Sequence, residues 1–173
     1  MRHFLDRLYG ASLFLAGLFL VGIFLLMVGE AVVRKLGGYI PGASELIGWS
    51  CAAAGFLALP ATFKRGDMVR VGLLVDALPP RQRKPILLGC LVLALVFTAY
   101  MLKATATYMW GSFVVDELTQ GMLEIQVWIP MVSFLLGVAL LLVAIMDELV
   151  VTWLAPASEL RAEKPTAIEE PGL

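Results

Sequence analysis

The chain has 173 residues, 60% of them hydrophobic and 16% charged, with a formal net charge of -1. A composition this apolar cannot supply a wettable surface around a soluble core, so the chain belongs in a membrane, and it lacks the basic excess of a nucleic-acid-binding protein. His3 is the only histidine, and Cys51 and Cys90 stand far apart with no second thiol near either, which excludes paired-histidine haem, a histidine-rich metal site and a CxxC centre.

From the N-terminus, Arg2, Asp6 and Arg7 precede an uncharged run from Leu8 to Gly29. That run is too long for the apolar core of a cleaved signal peptide and leads to Glu30 and Arg34 rather than a small-residue cleavage site, so it is expected to be a spanning helix over about residues 8–34. A turn built on Gly37, Gly38, Pro41 and Gly42 then folds the chain back. The second run, Leu46 to Phe63, predicts a helix over 44–64 with Ser44 capping its first turn and Glu45 where the helix dipole favours an acid. Pro60 is expected to bend or loosen its last turn.

Between Asp67 and Leu78, Met68, Val71, Leu74, Val75 and Leu78 recur at helical spacing, which predicts a short helix over 67–78 lying on the membrane surface. After Pro79 and Pro80, the residues Arg81, Arg83 and Lys84 form a basic step into a third span over 84–110. Lys103 interrupts that span, and a position near the headgroups is its least costly place. The fourth span is expected over 124–150. It has Trp128 as an interfacial anchor, and Pro130 falls in a first turn whose amides have no helical acceptor. Beyond Pro156 the composition turns polar, predicting a disordered tail over 156–173 after a four-helix transmembrane domain over 1–155.

Lys and Arg are distributed unevenly. Six lie between the second and third spans, two at the extreme N-terminus and two in the tail, against Arg34 and Lys35 in the first connection and none in the third. The bias predicts that both termini and the surface helix face the cytoplasm. The fold class expected is therefore an all-α integral membrane protein with four transmembrane helices, an interfacial helix between the second and third, and N-in/C-in topology. Neither a thiol pair, a metal-ligand cluster nor a run of aspartates points to an enzyme.

The order of these elements, with Arg34 closing the first helix, Pro41, Ser44, Glu45 and Leu46 entering the second, Phe56, Arg65, Gly66, Val69, Arg70 and Val71 leaving it, and Trp128, Pro130 and Gly137 in the last, resembles the small membrane subunit of tripartite ATP-independent periplasmic (TRAP) transporters, the DctQ type. The chain departs from that pattern at Gly38, Ala58, Met68, Gly72 and Gln126. The resemblance implies no cofactor and three kinds of partner: a large TRAP membrane subunit that carries the sodium and substrate sites, a periplasmic solute-binding protein that delivers a carboxylate-bearing solute, and membrane lipid. Four helices with so few interior polar groups are ill equipped to bind a charged solute and sodium alone. The small subunit of tripartite tricarboxylate carriers is similar in size, and a self-sufficient multidrug exporter would need an acid deep in a helix.

The candidate partner-interface or structural residues each carry two readings. Glu30 and Arg34, four apart on one helix face with Glu45 close across the turn, form either a charged contact for a partner or an ordinary helix-end ion pair. Lys64, Arg65 and Arg70 either contact the large subunit or serve orientation and anionic lipid. Trp128 and Pro130 read as helix-end anchors. Gly10, Gly17 and Gly22, with Ala52 and Gly55, are candidates for close helix packing, while the two cysteines read as small packing residues.

Overall fold

The computed structural model describes residues 2–64 and 80–154. The surface helix expected over 67–78, Arg65, Arg70 and the tail over 156–173 lie outside the described residues. The described residues form four helices: α1 (Arg2–Lys35), α2 (Ala43–Lys64), α3 (Pro80–Val114) and α4 (Trp128–Leu154). Each is long and apolar enough to cross a membrane.

The ends of the helices differ from the sequence expectation for physical reasons. α1 begins at Arg2, because its backbone ladder continues past the apolar run into the polar N-terminus. It stops at Gly37, whose φ of 80° is the left-handed conformation that a side chain resists. There Gly38 N–H donates to Val33 O at 2.9 Å and Gly37 N–H to Arg34 O at 3.2 Å, the paired bonds that close a helix C-terminus. α2 is entered through Gly42, whose carbonyl accepts from Glu45 and Leu46 N–H. Ser44 therefore sits inside the first turn and does not cap it. α3 absorbs the basic step, starting at Pro80, where a missing N–H costs nothing. Its far end runs to Val114 and closes at Asp116, with φ 51°, and a Glu117 N–H to Ser112 O bond of 3.0 Å.

α4 starts at Trp128, four residues later than expected, because residues 115–127 fold on themselves. Thr119 N–H bonds Ile125 O at 2.9 Å and Val127 N–H bonds Glu117 O at 3.0 Å, around an isolated antiparallel bridge between Leu118 and Gln126. At its other end α4 runs on through Asp147 to Leu154.

The helices do not close into a bundle. Extensive packing joins α1 to α2, α2 to α4 and α4 to α3, so the spatial order is an open row, α1–α2–α4–α3. The inner pair is correspondingly better covered: 28% and 22% of the most apolar windows of α2 and α4 are buried, against 11% in each of α1 and α3. Ser12 of α1, buried, donates to the carbonyl of buried Leu57 in α2, and Tyr9, Ala61 and Ala144 gather α1, α2 and α4 near the end that carries the termini.

The seam between α2 and α4 brings the two helix backbones close together. Pro60 does not loosen α2; it is less than 2% exposed and the helix continues to Lys64. Having no N–H, Pro60 leaves the carbonyl four residues earlier, that of Phe56, without its helical donor. Gly137 of α4 lies against that same carbonyl: a Cβ built on it would stand 2.5 Å from Phe56 O. The glycine hydrogen in its place points at the oxygen, a weak C–H···O contact available only where no side chain intervenes. About one turn earlier in α4, the Phe134 ring meets that of Phe56 edge on, with centroids 3.9 Å apart. By contrast, Gly10, Gly17, Gly22 and Gly55 have nothing within 4 Å of their Cβ positions. They do not mediate packing within the chain, and Cys51 and Cys90 are exposed on the helix surfaces rather than packed.

Candidate functional site

At the loop end of the row, where the connections over 36–42 and 115–127 lie, Glu45 in the first turn of α2 reaches the second of them. Its carboxylate accepts from the backbone N–H groups of Met122 at 2.7 Å and Leu123 at 3.2 Å. The turn holding those amides must come close to the acid, and a Cβ on Gly121 would collide with the carboxylate. Gly42, with φ 76°, leaves room beside it for the Leu123 side chain, and Tyr39 Oη lies 2.9 Å from Met122 Sδ. Hydrogen bonds of a carboxylate to two amides are charge-assisted and stronger than neutral ones. One side chain thereby fixes the α3–α4 connection to the start of α2.

Inside that connection, polar side chains replace a regular ladder. Thr119 Oγ1 donates to Leu123 O and accepts from Ile125 N–H at 3.2 Å. Ser112 donates to Glu117 at 2.8 Å, and Gln126 donates to Asp116 at 3.2 Å. Trp128 is held from both sides: its Nε1–H donates to Gln126 Oε1 at 2.9 Å, and its ring meets Phe113 edge on at 5.8 Å. Pro130 occupies the third position of α4, within the first turn as expected, and Ser133 donates to its carbonyl at 2.8 Å.

Glu30 and Arg34 pair at 2.6 Å, as their spacing predicts, with the Arg34 side chain 71% exposed and that of Glu30 16%. Glu45 is not part of that pair. It faces the other connection, so the cluster expected across the turn divides in two. The Glu30–Arg34 pair instead borders a groove of about 670 Å³ between the end of α1 and the start of α2, lined also by Met27, Lys35, Ser44 and Ile47. On the far side of α2, Glu45 and Glu117 border a second opening of about 440 Å³ with Trp49 and Tyr108. The loop end thus carries cations beside α1 and carboxylates beside α4; residues 115–127 contain Asp116, Glu117 and Glu124 and no Lys or Arg.

Lys64 lies at the opposite end. It forms an ion pair with Asp147, both side chains partly buried, across the α2–α4 seam. Asp147 falls inside the span expected over 124–150, and its pairing with Lys64 is not among the sequence expectations. A Lys at the end of one apolar run and an Asp at the end of another are a signal only once the two helices are known to be antiparallel neighbours. Lys84 Nζ donates to Trp153 O at 3.1 Å, tying the start of α3 to the end of α4. Among the described residues no group of three or more His, Cys, Asp or Glu side chains is placed to hold a metal ion.

An open row of four spanning helices, pinned by polar contacts at both ends, defines a multi-pass membrane component with no catalytic constellation among the described residues. Residues 23–155 match the family of tripartite ATP-independent periplasmic transporters, DctQ component, and the chain belongs to that family. No curated protein matches the chain. DctQ components are non-enzymatic transporter subunits of the inner membrane, and membership implies the other components of a TRAP system as partners.

Proposed function

We propose that this chain is the fixed scaffold subunit of a sodium-coupled tripartite secondary transporter, supporting the large membrane subunit in uptake of a carboxylate-bearing solute delivered by a periplasmic binding protein. The observation that carries this reading is the open row. A layer one helix thick cannot enclose a charged solute away from lipid, and its two edges are left for another protein or for the bilayer. The residues that bind the row, Glu45, Gly137 with Phe56, and Lys64 with Asp147, act as structural ties in this reading. Glu30, paired with Arg34 near the end of α1, is not the unpaired mid-membrane acid of a self-sufficient exporter.

The Lys and Arg bias supports N-in/C-in orientation, which turns the 36–42 and 115–127 connections toward the periplasm and the binding protein. The test is reconstitution in liposomes under a sodium gradient. Solute uptake is expected only when this chain, its cognate large subunit and the loaded binding protein are all present. Uptake by this chain alone, or full uptake without it, refutes the scaffold role.

A further inference from the structure

We infer that the outer edge of α3 is the surface on which the large membrane subunit docks, with Lys103 meeting a carboxylate on one of that partner's helices. This rests on the scaffold reading and adds where the partner sits and what chemistry it presents.

Lys103 is exposed on α3, and neither of the ion pairs among the described residues involves it. It stands eleven residues before the end of α3 at Val114 and nineteen after Lys84, about 16 Å and about 28 Å along the helix at 1.5 Å per residue. The aromatic level is nearer, at Trp110, but still about 10 Å away on the same scale. Snorkelling to the loop end is also opposed by direction. The Cα–Cβ bonds of a helix tilt toward its N-terminus, and α3 runs from the termini end to the loop end, so the Lys103 stem leaves the backbone pointing toward the bilayer interior. A cation held there needs an anion beside it, and Lys, Arg, Asp and Glu within spans mostly face a protein neighbour.

The face around Lys103 is built for a helix. Leu93, Val96, Tyr100, Thr107 and Trp110 precede and follow it at alternating intervals of three and four residues, and all are exposed. That spacing makes one continuous seam, the pattern by which a second helix packs lengthwise. The other edge of the row differs in kind. The corresponding stripe on α1, Phe14, Leu18, Val21, Leu25 and Val28, is exposed and carries no polar side-chain atom, while the polar Ser12 of α1 is turned into α2. A wholly apolar edge is satisfied by lipid tails; an edge with a mid-span ammonium is not, and the hydroxyl of neighbouring Thr107 already donates to the Lys103 carbonyl at 2.9 Å. Charge complementarity therefore selects a protein helix bearing an Asp or Glu.

The experiment uses the full chain, affinity-tagged and co-expressed with its cognate large subunit, and measures recovery of that subunit in mild detergent. Lys103→Arg is expected to retain it, and Lys103→Glu and Lys103→Leu to lower recovery about tenfold or more. The leucine variant guards against misfolding, since replacing a cation by an apolar residue favours insertion of the span. A photo-crosslinking side chain at Val96 or Tyr100 should capture the large subunit, and one at Leu18 should not. Crosslinking from Leu18 but not from Val96 or Tyr100, or undiminished recovery with both Lys103→Glu and Lys103→Leu, overturns the inference while leaving the scaffold reading intact. So does capture of lipid alone at Tyr100 with the complex intact. Failure of the unaltered chain to recover any large subunit overturns the scaffold reading itself.

Discussion

Gly137→Ala tests whether the α2–α4 seam sets the stability of the row. The new methyl would stand 2.5 Å from Phe56 O, 2.6 Å from Phe56 C and 2.9 Å from Phe56 Cβ, about 1 Å inside the optimal separation of non-bonded carbon atoms, which begins near 3.5 Å. Backbone atoms cannot rotate aside as a side chain can, so the two helices must separate. A gap of that size forfeits roughly a quarter to a half of the dispersion attraction of the lining atoms, and overpacking of one methyl in a tight interior costs about 1–3 kcal/mol. The same displacement would open the Phe56–Phe134 contact and stretch the Lys64–Asp147 pair. In detergent, the variant should show a lower midpoint of thermal unfolding, followed by loss of the monodisperse size-exclusion peak. Gly55→Ala is the internal control, because nothing lies within 4 Å of the Gly55 Cβ position and alanine is the better helix former. Equal midpoints for Gly137→Ala and the unaltered protein would refute the claim that this glycine is required by close backbone approach.

Glu45→Ala removes the acceptor for two amides and is expected to cost about 1–3 kcal/mol locally; hydrogen exchange at Met122 and Leu123 should accelerate while the helices stay protected, and unchanged exchange there would show that the tie is dispensable. Glu45→Gln should retain part of the protection, since its amide oxygen can still accept one N–H. Lys64→Met and Asp147→Leu, alone and together, form a cycle whose interaction energy is expected between about 0.5 and 3 kcal/mol; a value of zero would mean the pair is only a surface contact. Arg34→Ala exposes nothing apolar and leaves Glu30 near a helix end, so stability should change by less than about 1 kcal/mol. A large loss of complex assembly with Arg34→Ala, at unchanged stability, would instead mark the α1–α2 groove as a partner contact.

The spans were legible because each is an apolar run bounded by charge, and the hairpin because Gly37 and Gly42 announce backbone that other residues avoid. Their neighbours in space were not legible. Nothing in four apolar periodicities says that α4 lies between α2 and α3, and the partners of Glu45 and Lys64 follow from that order alone. Glu45 was singled out by sequence, yet its ligands are two backbone amides near residue 122, and main-chain donors leave no trace in residue type. Residue type does not separate glycines that pack from those that do not. Gly10, Gly17 and Gly22 of α1 are open, whereas Gly137, which the sequence offers only within a family-like pattern, lies against the Phe56 carbonyl across the seam. Local rules make Pro60 a weak point because its N–H is missing; the cost is offset across the seam, where the freed Phe56 carbonyl meets the Gly137 hydrogen.

These ties divide the row into a spine and two edges. α2 and α4 are fastened at three depths: Glu45 to the loop entering α4 at one end, Phe56 to Gly137 midway, and Lys64 to Asp147 at the other. α1 is held to that spine chiefly by small buried residues and the Ser12 bond, and α3 by Lys84 and the Phe113–Trp128 contact. A subunit that had to change shape during transport would be expected to carry a weak seam between its halves, since moving elements come from the less stable parts of a structure. Here the central seam is instead fastened along its length, with backbone against backbone at Gly137 and an ion pair at Lys64. In the proposed scaffold role, motion in the assembled transporter would belong to whatever packs on an edge, with the spine as its fixed reference in the bilayer.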